Sequence, residues 1–228
     1  MIVTQLALNK DMPRFEDEDG PLVASDPRAV VFVVDDDASV REALEALIEF
    51  IGCEPRVFET ATDFLAAPPA TGPSCLVLDV SLPDLNGLDL QQRVADGRPD
   101  MPIVFITGHG DIPTTVRAMK AGALEFLMKP FADDVLLEAI RGALTRSRAV
   151  LAQSAELQAL RGRYGSLSRR EREIMALVVA GRLNRQVAAE LGISEVTVKA
   201  HRGRLMGKMK ADSFADLVRM SAALGPAA

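Results

Sequence analysis

From Val30 to about Lys129, short apolar runs alternate with amphipathic stretches, and this alternation constrains the fold more than any other feature of the chain. The runs "VVFVV", "PRVFE", "CLVLD", "IVFIT" and "LEFLMK" have the length and the β-branched or aromatic content of strands. Between and after them stand "REALEALIEFIG", "TDFLAA", "LDLQQRVADG", "IPTTVRAMKAG" and "DDVLLEAIRGAL", which read as helices. Strands that alternate with helices imply crossover connections, hence a mostly parallel sheet with helices on both faces. A doubly wound α/β domain with a five-stranded parallel sheet is therefore expected over residues 29–145.

The flanks differ in composition. Residues 1–28, including "RFEDEDGPLVASDP", carry dense acid and three prolines and read as a mobile acidic extension. Residues 146–166 keep helical composition without proline and read as a helical linker. Residues 167–228 predict an all-α domain of four helices. Ser168 and Glu171 form a capping-box pattern, Gly181 stops the first helix, and Asn184 begins a second that ends at Gly192. Ser194 caps a third helix running to about Lys210, and Asp212 or Ser213 caps the fourth.

Charge follows the same division. Residues 166–228 hold 11 Lys/Arg against 6 Asp/Glu, a net of +5, whereas residues 1–165 hold 15 against 26, a net of -11. A basic segment on an acidic protein suggests a nucleic-acid face, although solvated helix surfaces carry such an excess too. No apolar run reaches the ~18 residues of a membrane span, which predicts a cytoplasmic protein. Cys53 and Cys75, both among apolar neighbours, read as small hydrophobes in a reducing compartment. With His109 and His201 far apart and no paired cysteines, a structural zinc site lacks ligands.

In an open parallel sheet all strands end on one edge, and ligands bind there where strand order reverses. Asp35 and Asp36 follow the first strand, Asp79 ends the third, Thr107 the fourth and Lys129 follows the fifth, so all can converge. Taken singly, each has an ordinary alternative as a helix cap, turn hydroxyl or surface charge. Together, clustered carboxylates call for a cation, and hard oxygen ligands suit magnesium. A hydroxyl and a lysine beside them match a phosphoryl group.

"VVDDD", "LDVSLPDLNG", "ITGHGD" and "AGALEFLMKPF" resemble, in order and over about 115 residues, the flavodoxin-like receiver domain of two-component response regulators. The resemblance implies that Asp79 is the phosphoacceptor, and that Asp35, Asp36, Asp79 and the Ser81 backbone carbonyl hold Mg2+. It further implies that Lys129 pairs with the phosphoryl group, Thr107 hydrogen-bonds it and Phe126 is the mobile aromatic. The peptide before Pro130 is expected to be cis, and His109 to be a loop residue.

In the basic region "NRQVAAELGISEVTVKAHRGRLMGKM" reads as helix, turn, helix, with Ala189 at the approach of the two helices and Gly192 in the turn. Val198, Leu205 and Met209 form a buried stripe. Val196, Ala200, Gly203 and Gly207 lie opposite, edged by Thr197, Lys199 and Arg204. Residues 167–224 resemble the LuxR/NarL-type helix-turn-helix domain, and the whole chain is most similar to the FixJ-type subgroup. The resemblance implies DNA contacts around Asn184, Thr197, Lys199, Ala200, His201, Gly203 and Arg204, and a dimer surface around Phe214 to Met220. Gly203 departs from a position where relatives often place a base-contacting side chain.

The expected function is a transcription factor phosphorylated on Asp79 by a sensor histidine kinase, binding double-stranded promoter DNA as a homodimer, with RNA polymerase as a further partner. Two alternatives stand beside it. One is a haloacid-dehalogenase-type phosphatase using Asp35 and Asp37 with Lys129, Asp133 and Asp134. The other is a DNA-binding dimer that ignores phosphorylation.

Overall fold

The computed structural model describes residues 29–108 and 112–225. The expectations for residues 1–28 and for His109 lie outside the described residues. Contacts divide the chain into two units, one ending at Leu151 and the other beginning at Ala152.

The first unit runs β1 (Val30–Val34), α1 (Ala38–Phe50), β2 (Glu54–Phe58), α2 (Ala61–Ala66), β3 (Ser74–Asp79), α3 (Gly87–Gly97), β4 (Ile103–Thr107), α4 (Ile112–Lys120) and β5 (Glu125–Met128), and α5 (Asp133–Gly165) begins in it and ends in the second unit. The strands form one parallel sheet in the order β2-β1-β3-β4-β5. This is the doubly wound topology expected.

Alternation along each strand divides the core between the two faces of the sheet. Phe32, Leu76, Leu78 and Phe105 pack with Phe64, Leu90 and Ala118 from α2, α3 and α4. Val31, Val33, Cys75, Val77 and Ile106 pack with Leu44, Ile48, Leu136 and Ile140 from α1 and α5. Strands β1, β3 and β4 are buried throughout, which is why their sequences read as continuous apolar runs. Cys53 and Cys75 are free and buried, and burial pushes the Cys75 thiol above its ordinary range.

Helix α5 continues without interruption to Gly165, so the stretch expected as a linker is helical over nearly all its length. In the second unit follow α6 (Arg169–Val179), α7 (Asn184–Leu191), α8 (Glu195–Met209) and α9 (Phe214–Leu224). Ser168 and Glu171 make the capping box, Gly181 takes a φ of 84° just beyond α6, and Gly192 caps α7 at φ 65°. Ser194 caps α8, and Ser213 rather than Asp212 caps α9. Val198, Leu205 and Met209 are fully buried beside Ile174, Val178 and Val187. One expectation is corrected: Ala188 is buried, whereas Ala189 faces outward. Val187 sets the inward face of α7, which brings its immediate neighbour rather than Ala189 towards the core.

Candidate functional site

Strand order reverses between β1 and β3, and their C-terminal ends bring Asp35 and Asp79 to the same edge. Asp35, Asp36 and Asp79 each offer a carboxylate oxygen within 4.8 Å of the others. Asp35 is wholly buried and Asp79 nearly so, while Asp36 is exposed. From the end of β5, Lys129 Nζ donates to Asp35 Oδ2 at 2.5 Å and to Asp79 Oδ2 at 2.7 Å. The other oxygens are held by the backbone: Asp35 Oδ1 accepts from the Asp37 N–H and Asp79 Oδ1 from the Ser81 N–H, both at 3.0 Å. Two carboxylates are thereby fixed in orientation by one ammonium and two peptide groups.

The charge balance favours a further cation. Burial pushes the Asp35 carboxyl above its ordinary value, although Lys129 opposes this. Burial disfavours the Lys129 ammonium too, yet its bonds to Asp35 and Asp79 prevail and hold it above the ordinary lysine range. Among the described residues one ammonium, Lys129, bonds two of the three carboxylates, and the donor set is entirely hard oxygen. That set fits a small divalent cation such as magnesium.

Thr107 ends β4, is buried, and its carbonyl accepts from the Lys129 N–H at 2.7 Å. The Lys129–Pro130 peptide is cis. Phe126 lies half-buried on β5 with its ring 6.0 Å from that of Phe105. The third aspartate of the opening triplet does different work: Asp37 caps α1 by accepting from the Ser39 N–H at 2.8 Å. Asp133 and Asp134 occupy the first turn of α5, so of the four carboxylates invoked for a dehalogenase-type site, Asp37, Asp133 and Asp134 stand at helix starts and Asp35 alone lies in the cluster with Lys129.

Residue types alone did not single out three members of the loop after Asp79. Asp84 accepts from the Ala61 and Thr62 N–H groups and from the Thr62 hydroxyl, fastening the loop to the start of α2. Asn86 caps α3, accepting from the Leu88 N–H at 2.9 Å. Gly87 is packed so closely that an added Cβ would meet the Asp79 carbonyl oxygen at 2.6 Å. Their only signal in the sequence was the string "LPDLNG".

In the second unit the α7–Gly192–α8 arrangement is a helix-turn-helix. Lys199, Ala200, Gly203 and Arg204 lie exposed on α8, and Thr197 and His201 are half-buried. The Thr197 hydroxyl lies 2.8 Å from that of Ser194, and the Thr197 N–H donates to Ser194 Oγ. Asn184 Oδ1 accepts from Arg202 at 2.6 Å, tying the start of α7 to α8. Arg202 also stands over the Phe214 ring, at 5.8 Å. The sequence had not marked Arg202, because a basic residue on a basic helix gives no sign of its partner.

Residues 31–141 match the response regulator receiver domain, and residues 165–221 match the bacterial regulatory proteins of the luxR family. Nodulation protein W of Bradyrhizobium diazoefficiens is 50% identical over 198 residues, covering 87% of each chain. The chain belongs to the response regulators. The transcriptional regulatory protein FixJ of Rhizobium meliloti is 41% identical, over 86% of this chain and 96% of FixJ. Among solved structures, the response regulator StyR is 46% identical with a TM-score of 0.75, covering 86% of this chain and 98% of StyR. Full-length FixJ from B. japonicum is 38% identical with a TM-score of 0.53, covering 87% of this chain and 98% of that one. This response regulator is thus a transcription factor that joins a receiver to a LuxR-type helix-turn-helix domain, and no described helix is long and apolar enough to cross a membrane.

Proposed function

We propose that this response regulator is switched by phosphorylation of Asp79 and that the phosphorylated form binds promoter DNA as a dimer. The observation that carries this reading is Lys129 Nζ bridging Asp35 and Asp79, with Asp36 close by. An Asp79 carboxylate oxygen attacks the phosphorus of a phosphohistidine on a sensor kinase; the O–P bond forms as the N–P bond breaks and the imidazole departs. Such transfer depends on positioning and charge neutralisation more than on covalent machinery.

Asp35, Asp36, Asp79 and the Ser81 carbonyl would hold magnesium, which supplies positive charge to the phosphoryl oxygens. Lys129 turns from the carboxylates to a phosphoryl oxygen, and the Thr107 hydroxyl donates to another. Movement of Thr107 lets Phe126 repack, which biases the face formed by α4 and β5. Dimerisation follows because two linked helix-turn-helix modules gain effective concentration on paired half-sites. DNA is contacted around Asn184, Thr197, Lys199, Ala200, His201, Gly203 and Arg204, with α9 at the dimer surface and RNA polymerase engaged at the promoter. Residues 1–28 remain an extension ahead of a receiver at 29–145, with the DNA-binding domain from 167. On this reading the protein works in the cytoplasm.

The test is phosphate incorporation from a small acyl-phosphate donor with magnesium, in wild type and Asp79→Asn, followed by sizing and duplex binding. Label in wild type alone, with dimer formation and tighter DNA binding, supports the switch. A wild type that takes no label yet binds DNA as a dimer makes the receiver a phosphate-independent module.

A further inference from the structure

We propose that Val196 sets sequence specificity by packing against the 5-methyl group of a thymine in the major groove, an inference that rests on α8 being the recognition helix. Val196 lies in the first turn of α8 and is 77% exposed. A β-branched apolar side chain there gains nothing for the fold: it buries little and helices disfavour it relative to alanine. Its position is nonetheless firmly set. Ser194 caps the turn by accepting from the Thr197 N–H at 3.1 Å, and β-branching leaves the Val196 side chain essentially one rotamer in a helix.

The rest of that helix face is bare. Ala200, Gly203 and Gly207 follow Val196 at helical spacing and are all exposed. A Cβ on Gly203 or Gly207 would meet nothing within 4 Å, so packing within the chain does not require glycine at either position. Val196 is therefore the one bulky side chain of this strip, with the cationic Lys199 and Arg204 along its flanks. Those flanks suit phosphates or guanine edges. Valine and alanine have no donors or acceptors to spend on base edges. The base feature complementary to them is the thymine methyl, which distinguishes that base in the major groove. The occupant is thus duplex DNA, identified by the basic flanks and by the luxR-family match over residues 165–221.

The experiment selects duplexes from a random library with the full-length protein, treated with an acyl phosphate and magnesium. Each thymine of the selected half-site is then replaced singly by deoxyuridine, which removes only the methyl. Wild type should weaken about fourfold at one position, the worth of burying one methyl-sized group. Val196→Ala should lose about as much on the parent duplex and show no further loss with deoxyuridine at that position. It should also be no less stable than wild type, since the side chain is exposed and alanine suits the helix better. A Val196→Ala protein as sensitive as wild type at every thymine overturns the proposal, as does a wild type that no deoxyuridine substitution weakens. Should wild type select no duplex at all, the assignment of α8 as recognition helix falls as well, which separates the two failures.

Discussion

A Cβ placed on Gly87 would lie 2.6 Å from the carbonyl oxygen of Asp79 and 2.9 Å from Cα of Val80. The first residue of α3 thus sits directly against the strand end that carries the central carboxylate, and its N–H donates to the Val80 carbonyl at 3.0 Å. The two closest atoms in the way are backbone and cannot swing aside, and the third belongs to the buried Phe105 ring at 3.3 Å.

Gly87→Ala must therefore displace either α3 or the end of β3. The expected outcome is a loss of about 1–3 kcal/mol in stability, typical of overpacking, together with slower labelling of Asp79. Urea unfolding and acyl-phosphate labelling measure the two; an alanine variant matching wild type in both would show that the contact relaxes freely.

Magnesium should stabilise the receiver by mass action, about 1.4 kcal/mol at ten times its dissociation constant. Asp36→Asn should abolish most of that increment with little change in the metal-free protein, since Asp36 is exposed and bears no structural bond seen for Asp35. Thermal unfolding in chelator and in magnesium decides the matter. A wild type indifferent to millimolar magnesium argues against the cation.

Glu171 offers a pH-dependent contact in the other unit. Its buried carboxylate accepts from Lys208 Nζ at 2.7 Å and from the Ser168 N–H at 2.8 Å, and these bonds lower its pKa from 4.5 to about 2. Because the folded value is depressed, the stabilisation is fully present above about pH 4.5 and is lost as the pH falls through about 2. Glu171→Gln should weaken the fold at neutral pH by about 1.5–3 kcal/mol, the scale of charge-assisted hydrogen bonds, and flatten this acid dependence. Tyr164 is the single tyrosine of a chain without tryptophan and packs on this core, so its emission follows the transition. Equal acid sensitivity in the variant would exclude Glu171 as the source.

Gly203→Ala should stabilise α8 by about 1 kcal/mol, the propensity difference between the two residues in a helix interior. If the bare face enters the groove closely, the same methyl weakens DNA binding. Thermal unfolding and duplex titration at one fixed salt concentration should move in opposite directions. A variant improved in both would remove the argument for close approach.

The local patterns proved the most legible. The strands, the buried stripe of α8 and the capping residues Ser168 and Ser194 depend on neighbours a few positions away, which one-dimensional periodicity records. The convergence of Asp35, Asp79 and Lys129 was also legible, since parallel strands end on one edge whatever their spacing in sequence. The sequence could not divide labour within the triplet, where Asp35 faces Lys129 while Asp37 caps α1. Nor could it choose Ala188 over Ala189, because the rotation of α7 about its axis is settled by packing on the neighbouring helices. The bonds of Asp84 to α2 and of Arg202 to Asn184, and the closeness of Gly87 to Asp79, were likewise decided only by tertiary structure. Each depends on a distance between separate elements, which helical or strand period does not encode. Alternation and caps determined which elements form and which edge carries the chemistry; three-dimensional packing determined which atoms meet there.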